Sequence, residues 1–147
     1  MTLPVSAEDR HEIHDLLGRY VWAVDTGDVD GIVSLFTPDG IVRYGDGEAY
    51  ESRDGIRRFA RLVTGNRGTR GRMHLNLPLF MVRLENGVTL RSYLCVVQWV
   101  AEPERKAIRT LSYSDDTCVR TGDGWRIKER VIWRWNDHLQ PWSPDTV

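Results

Sequence analysis

Residues 73–101 read MHLNLPLFMVRLENGVTLRSYLCVVQWVA, and this stretch decides the fold. It holds two long apolar segments, His74–Glu85 and Val88–Ala101, joined at Asn86-Gly87, a dipeptide that favours tight hairpin turns. Two more strand-like segments follow, about Lys106–Thr121 and Trp125–Trp135, with Gly122-Asp123-Gly124 as the turn between them. Long strands in succession with short turns predict an antiparallel meander. In His74–Glu85 both alternating sets are apolar: Pro78, Phe80, Val82 and Leu84 against Leu75, Leu77, Leu79 and Met81. Val88–Ala101 repeats this, with Leu90, Leu94 and Val96 against Tyr93, Cys95, Val97 and Trp99. An antiparallel sheet with one wet face alternates, so this one calls for cover on both faces. Helices from one side supply one cover, and a second copy of the chain is the expected other. The expectation is a homodimer or homotrimer with Trp99 or residues like Leu77 at the contact.

Upstream of the meander the periodicity is helical. Ser6 is a hydroxyl N-cap followed by Glu8 and Asp9, acids that complement the positive end of a helix dipole. Ile13, Leu16, Leu17, Tyr20 and Val24 draw one stripe, and Thr26-Gly27 is the stop. Asp28 caps a short second helix carrying Ile32, Val33, Leu35 and Phe36. Pro38-Asp39-Gly40 is a turn signal before a short strand Ile41–Tyr44, and Gly45–Ser52 reads as a loop. Asp54 is the expected cap of a third helix with Ile56, Phe59, Ala60 and Val63, and the glycine-rich basic run Asn66–Arg72 is a connector. Helices first and strands after predict an α+β domain with helices on one sheet face.

The 147 residues suffice for one domain with a real core. Twenty basic against 21 acidic residues give a net charge of −1, and no block of like charge marks a nucleic-acid surface. No stretch approaches the roughly 20 apolar residues of a membrane span, and no basic-then-apolar leader opens the chain. Cys95 and Cys118 form no CxxC pair and are expected as reduced, buried thiols, consistent with a cytoplasmic protein.

The residues that can carry chemistry are few. His74 opens a strand, and histidine is the side chain best able to move a proton at neutral pH. Asn76, two residues on, shares its face and can donate to a developing oxyanion. Asp25 lies in the last turn of the first helix, where a negative charge opposes the dipole, about 120° from the centre of the apolar stripe. It can reach a pocket only at the stripe's edge, or if the helix distorts near Gly27. Tyr20 lies on the stripe itself. Arg130 and Arg134 share a strand face and need anions if buried: Asp25, Asp115, Asp116 or a substrate carboxylate. Trp22, Phe36, Phe59 and Phe80 supply apolar walls. His11-Glu12-Ile13-His14 is not the HExxH zinc pattern, because its second histidine comes three residues on and not four. No metal site is expected. The absence of GxSxG, phosphate-loop and Rossmann patterns argues against a serine hydrolase and against a nucleotide or flavin cofactor.

Five strings, in this order and spacing, resemble the SnoaL-like branch of the nuclear transport factor 2-like superfamily. They are Leu16-Leu17-Gly18-Arg19-Tyr20, Val24-Asp25-Thr26-Gly27-Asp28, Leu35-Phe36-Thr37-Pro38-Asp39-Gly40, His74-Leu75-Asn76, and Asp123-Gly124-Trp125-Arg126-Ile127 with Arg130. The resemblance runs from about Glu8 to Arg134. It implies a cone of curved antiparallel sheet with three N-terminal helices enclosing a pocket. It also implies an Asp–His dyad, Asp25 with His74, as in the dehydratases and dehydrochlorinases of that superfamily. Tyr20 matches a tyrosine used there, and a last-strand arginine, Arg130 or Arg134, matches another. Val24 stands where scytalone dehydratases place a tyrosine before the aspartate. The implied activity is a cofactor-independent lyase, a dehydratase acting on a small hydrophobic cyclic carbonyl compound. His74 would take the proton, Asp25 would orient it, and Tyr20 or Asn76 would steady the enolate or leaving oxygen. Arg130, Trp22 and Phe80 would bind substrate. An isomerase with the same dyad and a non-catalytic small-molecule-binding or partner subunit are the alternatives, since fold alone does not fix function.

Overall fold

A computed structural model describes residues 4–45, 47–65, 71–100 and 104–134. The expectations for residues 66–70 and for Trp135 lie outside the described residues. In chain order the elements are α1 (Ala7–Thr26), α2 (Val29–Ser34), β1 (Phe36–Tyr44), β2 (Ala49–Glu51), α3 (Ser52–Thr64), β3 (Arg72–Leu84), β4 (Gly87–Val100), β5 (Arg105–Thr121) and β6 (Gly124–Arg134). The strands form one curved, unclosed sheet in the order β2-β1-β6-β5-β4-β3. β3 to β6 are an antiparallel meander, whereas β1 returns beside β6 in parallel.

Local chemistry explains the helix ends. The Ser6 hydroxyl accepts the Asp9 N–H at 3.0 Å. At the other end Gly27 adopts φ 78°, the left-handed region glycine tolerates, and its N–H bonds back to the Ala23 and Val24 carbonyls. The Asp28 carboxylate accepts the Gly31 N–H at 2.8 Å and starts α2. The α1 stripe (Ile13, Leu16, Leu17, Tyr20, Val24) is buried as expected, against Ile32, Ile56, Phe59 and Ile127 among others. Truncating one such side chain to alanine costs about 2–5 kcal/mol.

Four details depart from the sequence reading. Pro38-Asp39-Gly40 does not precede a strand but interrupts one: between the pairs Phe36↔Ile127 and Ile41↔Glu129 the register advances further along β1 than along β6. The expected loop 45–52 contains β2, and α3 begins at Ser52 rather than after Asp54. In the first hairpin Gly87 pairs with Leu84, so the turn residues are Glu85 and Asn86. Gly87 is needed for a different reason: a Cβ there would stand 2.3 Å from the Cys118 carbonyl oxygen. Finally, a register shift between Pro78 and Phe80 exchanges the faces of β3. His74, Asn76 and Pro78 face inward before it and Met81 and Arg83 after it, while Phe80, Val82 and Leu84 turn outward. The double apolarity of this strand is therefore partly the bulge. It leaves the outer face almost wholly apolar: Leu75, Leu77, Leu79, Phe80 and Val82 are each 40–61% exposed. Trp99 on β4 and Leu111 on β5 extend that surface.

α1 runs antiparallel along β3 and is tied to it near both ends. Near its start, Arg83 Nη2 donates to Asp9 Oδ2 at 2.6 Å, and Arg120 adds a bond to Oδ1 at 2.8 Å. Near its end, Asp25 binds His74. Between these ties helix and sheet leave a cavity.

Candidate active site

The cavity has a volume of about 860 Å³. Its helical wall is His14, Leu17, Gly18 and Val21 of α1; its floor is His74, Asn76 and Pro78 of β3, Leu94 of β4 and Ser112 of β5. Leu75, Leu77, Tyr93, Cys95 and Leu111, at outer-face positions of the same strands, also border it. The lining is chiefly apolar with a few polar groups, the composition of a small-molecule site. At one end His74 also borders a second, smaller space of about 160 Å³, shared with Asp25, Thr26, Thr64 and Arg72.

Asp25 and His74 make three contacts. The His74 backbone N–H donates to Asp25 Oδ2 at 3.0 Å and, more loosely, to Oδ1 at 3.3 Å. The ring Nδ1 lies 2.5 Å from Oδ1. An ionised carboxylate can only accept, so Nδ1 carries the hydrogen, and in the neutral imidazole the lone pair is on Nε2. Both side chains are mostly shielded, His74 27% and Asp25 16% exposed. The carboxylate therefore fixes strand and ring together, and Nε2 is the nitrogen left to meet a ligand.

Helix geometry explains how Asp25 gets there. At 100° per residue, His14, Gly18, Val21 and Asp25 fall on one flank of α1, about 115° from the core stripe, with Leu17 at the edge of the stripe nearest that flank. The stripe faces the core, and β3, the edge strand, runs beside this flank. The same arithmetic moves Trp22 away. It projects to the far side of α1 and is 72% exposed, so it does not line the cavity.

Three further expectations need correcting. Phe80 lies beyond the β3 bulge, 53% exposed on the outer face, beside the Arg91 guanidinium at 6.0 Å. Tyr20 is buried in the core and does not line the cavity; its ring packs edge-on against Phe36 at 6.0 Å. Burial pushes its hydroxyl pKa up, so it stays protonated. Arg130 sits over the Tyr20 ring at 4.4 Å and donates through Nη1 to Asp116 Oδ1 at 2.7 Å. Ser114 donates to the other oxygen of Asp116 at 3.0 Å. Burial pushes Asp116 up, while the Arg130 charge and the Ser114 hydrogen bond hold it down. Arg130 thus has its anion in the core, and Arg134 stacks over Tyr44 at 5.2 Å. Neither arginine lines the cavity. Asn76 does line it, with its Oδ1 buried and without a hydrogen-bond partner.

His14, Gly18 and Ser112 were missed as cavity residues. The signal was present for the first two, at four and three-residue steps from Asp25 on one helix flank, but the apolar stripe drew the reading to the other side. Both cysteines are free, Cys118 buried and Cys95 half-buried beside the cavity. Among the described residues no three His, Cys, Asp or Glu side chains gather as a metal site, and no helix is long and apolar enough to cross a membrane.

Comparison with known proteins agrees with this architecture. An uncharacterised protein of Mycobacterium tuberculosis strain H37Rv is 33% identical over 128 residues, covering 84% of this chain and 83% of the relative. The crystal structure of an NTF2-like protein with a cystatin-like fold from Novosphingobium aromaticivorans superposes with a TM-score of 0.76 at 23% identity, covering 95% of this chain and 89% of that one. A candidate scytalone dehydratase from the same organism gives 0.73 at 20% identity, covering 88% and 85%. The SnoaL-like domain model matches residues 5–131, and the chain belongs to that family.

Proposed function

We propose that this protein is a cofactor-independent lyase that eliminates water from a small hydrophobic cyclic carbonyl compound. The observation that carries the reading is the 2.5 Å contact between Asp25 and His74 at the end of a large apolar cavity. Membership of the SnoaL-like family and the likeness to a candidate scytalone dehydratase support a lyase or isomerase role on a small molecule.

In this reading a β-hydroxy-carbonyl compound lies with its α-carbon against His74 Nε2. The imidazole takes the α-proton, and the C–H electrons pass into an enolate. As the C–O bond to the β-hydroxyl breaks, the enolate collapses to the conjugated double bond, and the proton on Nε2 leaves with the hydroxyl as water. Asp25 holds the ring and stabilises the transient imidazolium. Asn76 lies on the same floor, where its amide NH₂ would donate to the enolate oxygen. Tyr20 and Arg130, locked in the core, have no part in it. Returning the proton to another carbon makes the same groups an isomerase.

A panel of cyclic β-hydroxy ketones, assayed by the ultraviolet absorbance of the conjugated product, tests this. Turnover of one member that His74→Ala abolishes supports the lyase. Ligands that raise the melting temperature with no conversion of any kind support a binding-only protein instead.

A further inference from the structure

The α1 wall of the cavity has a gap. Gly18 lies between Leu17 and Val21 and borders the cavity with them. α1 runs from Ala7 to Thr26, so this glycine is mid-helix, where it weakens the helix relative to alanine. The usual reasons for a helical glycine do not apply. Gly18 is not a cap, and a Cβ placed on it meets no heavy atom within 4 Å. Gly55 in α3 shows the contrast: a Cβ there would stand 2.9 Å from the Tyr50 backbone, so packing demands it. Gly18 is exposed, with open space where a side chain would stand, and it borders the cavity.

The walls also set a length. Seven residues of helix separate His14 from Val21, the ends of the α1 wall, about 10 Å at 1.5 Å per residue. On the floor, His74 to Pro78 spans about 13 Å of strand. A volume of about 860 Å³ lies near the upper end of ordinary ligand sites, roughly 300–1,000 Å³. A single ring at His74 would leave most of it unfilled.

We propose that Gly18 is the specificity-determining position of this cavity. Its missing side chain makes a notch in which a flat, elongated ligand lies against the helix backbone. The reacting end sits at His74, and a hydrogen-bonding group at the far end meets His14, an exposed imidazole on the rim that can donate or accept. This rests on the cavity being the ligand site and narrows the ligand class to apolar fused-ring ketones with a polar group remote from the carbonyl.

The test uses 6-hydroxy-2-acetonaphthone, a flat two-ring ketone with a distal hydroxyl, titrated by amide NMR into the wild type, Gly18→Ala, Gly18→Leu and His14→Ala. NMR separates shifts at His14, Gly18 and His74 from shifts at Leu79 and Val82 on the outer face, which do not border the cavity. Melting temperatures of the unliganded variants are taken alongside. Alanine meets nothing and favours the helix, so Gly18→Ala melts about 2–4 °C higher than the wild type. Gly18→Leu melts no lower than the wild type, yet its Kd for the probe rises at least tenfold. His14→Ala raises Kd about threefold or more without lowering the melting temperature. An unchanged Kd in Gly18→Leu overturns the proposal, as do wild-type shifts confined to the outer face or a melting loss in Gly18→Leu that parallels the binding loss. Failure of the lyase reading looks different: the probe binds through the notch, and no ketone of the panel is converted.

Discussion

Asp25 holds His74 by both its backbone and its ring, through the N–H at 3.0 Å and Nδ1 at 2.5 Å. The carboxylate sits in the last turn of α1, where the helix dipole opposes a negative charge by about 0.3–1 kcal/mol. Charge-assisted hydrogen bonds to His74 offset that cost. The arrangement also joins α1 to the first strand of the meander, so one contact both closes the end of the cavity and aims the imidazole.

The opposite tie of α1 gives a pH-dependent stability. The hydrogen bond from Arg120, with that from Arg83, holds the Asp9 carboxyl well below its ordinary value of 3.8. A lowered folded-state pKa contributes stability above the unfolded value and loses it as pH falls. The melting temperature of the wild type should therefore drop progressively below about pH 4. In Asp9→Asn it should be lower near neutrality and should fall less steeply in acid. Differential scanning calorimetry between pH 7 and pH 2.5 checks this, and parallel acid profiles would contradict it.

A second prediction concerns the buried pair Arg130 and Asp116, respectively 2% and 0% exposed in their side chains. Removing one partner leaves the other charge buried and unpaired, so Arg130→Met should destabilise the fold by about 3–5 kcal/mol. Replacing both by apolar residues of similar volume, Arg130→Met with Asp116→Leu, should recover much of that loss. Urea denaturation of the single and double variants measures it; additive losses would contradict a paired role.

The outer sheet face yields a third. Monomeric proteins rarely expose an apolar surface as continuous as that of Leu75, Leu77, Leu79, Phe80 and Trp99. We propose that a second copy of the chain covers it, as a dimer or trimer. Light scattering at micromolar concentration should give two or three times the chain mass, and Leu77→Glu should reduce it to one. A wild-type monomer would contradict the proposal.

The sequence was most informative where one local rule acted alone. Ser6, Gly27 and Asp28 mark helix ends because capping depends on near neighbours, and the stripe from Ile13 to Val24 is the core face because periodicity reports burial. It was least informative where strands meet. Nothing local says that Leu79 is bulged out of register, yet that bulge moves Phe80 from the cavity side to the outside. The parallel return of β1 beside β6 and the interruption at Pro38–Gly40 depend on partners about ninety residues away. At the site, Asp25 and His74 were legible through resemblance and not through the helix pattern. Tyr20 matched the same pattern but is engaged with Phe36 and Arg130, a tertiary choice that spacing cannot show.

The central claim is that Asp25 and His74 act as one proton-transferring unit, and a double-mutant cycle on turnover of a converted ketone tests it most directly. His74→Ala should lower turnover by roughly 10²–10⁴-fold. Asp25→Asn should come close to that, because the amide keeps the shape and loses the charge that steadies the imidazolium. The double variant should be about as impaired as His74→Ala alone, since groups acting together share one contribution. Each variant should still bind the ketone with its melting temperature raised by ligand. Full turnover in His74→Ala, or losses that multiply in the double variant, would contradict the account.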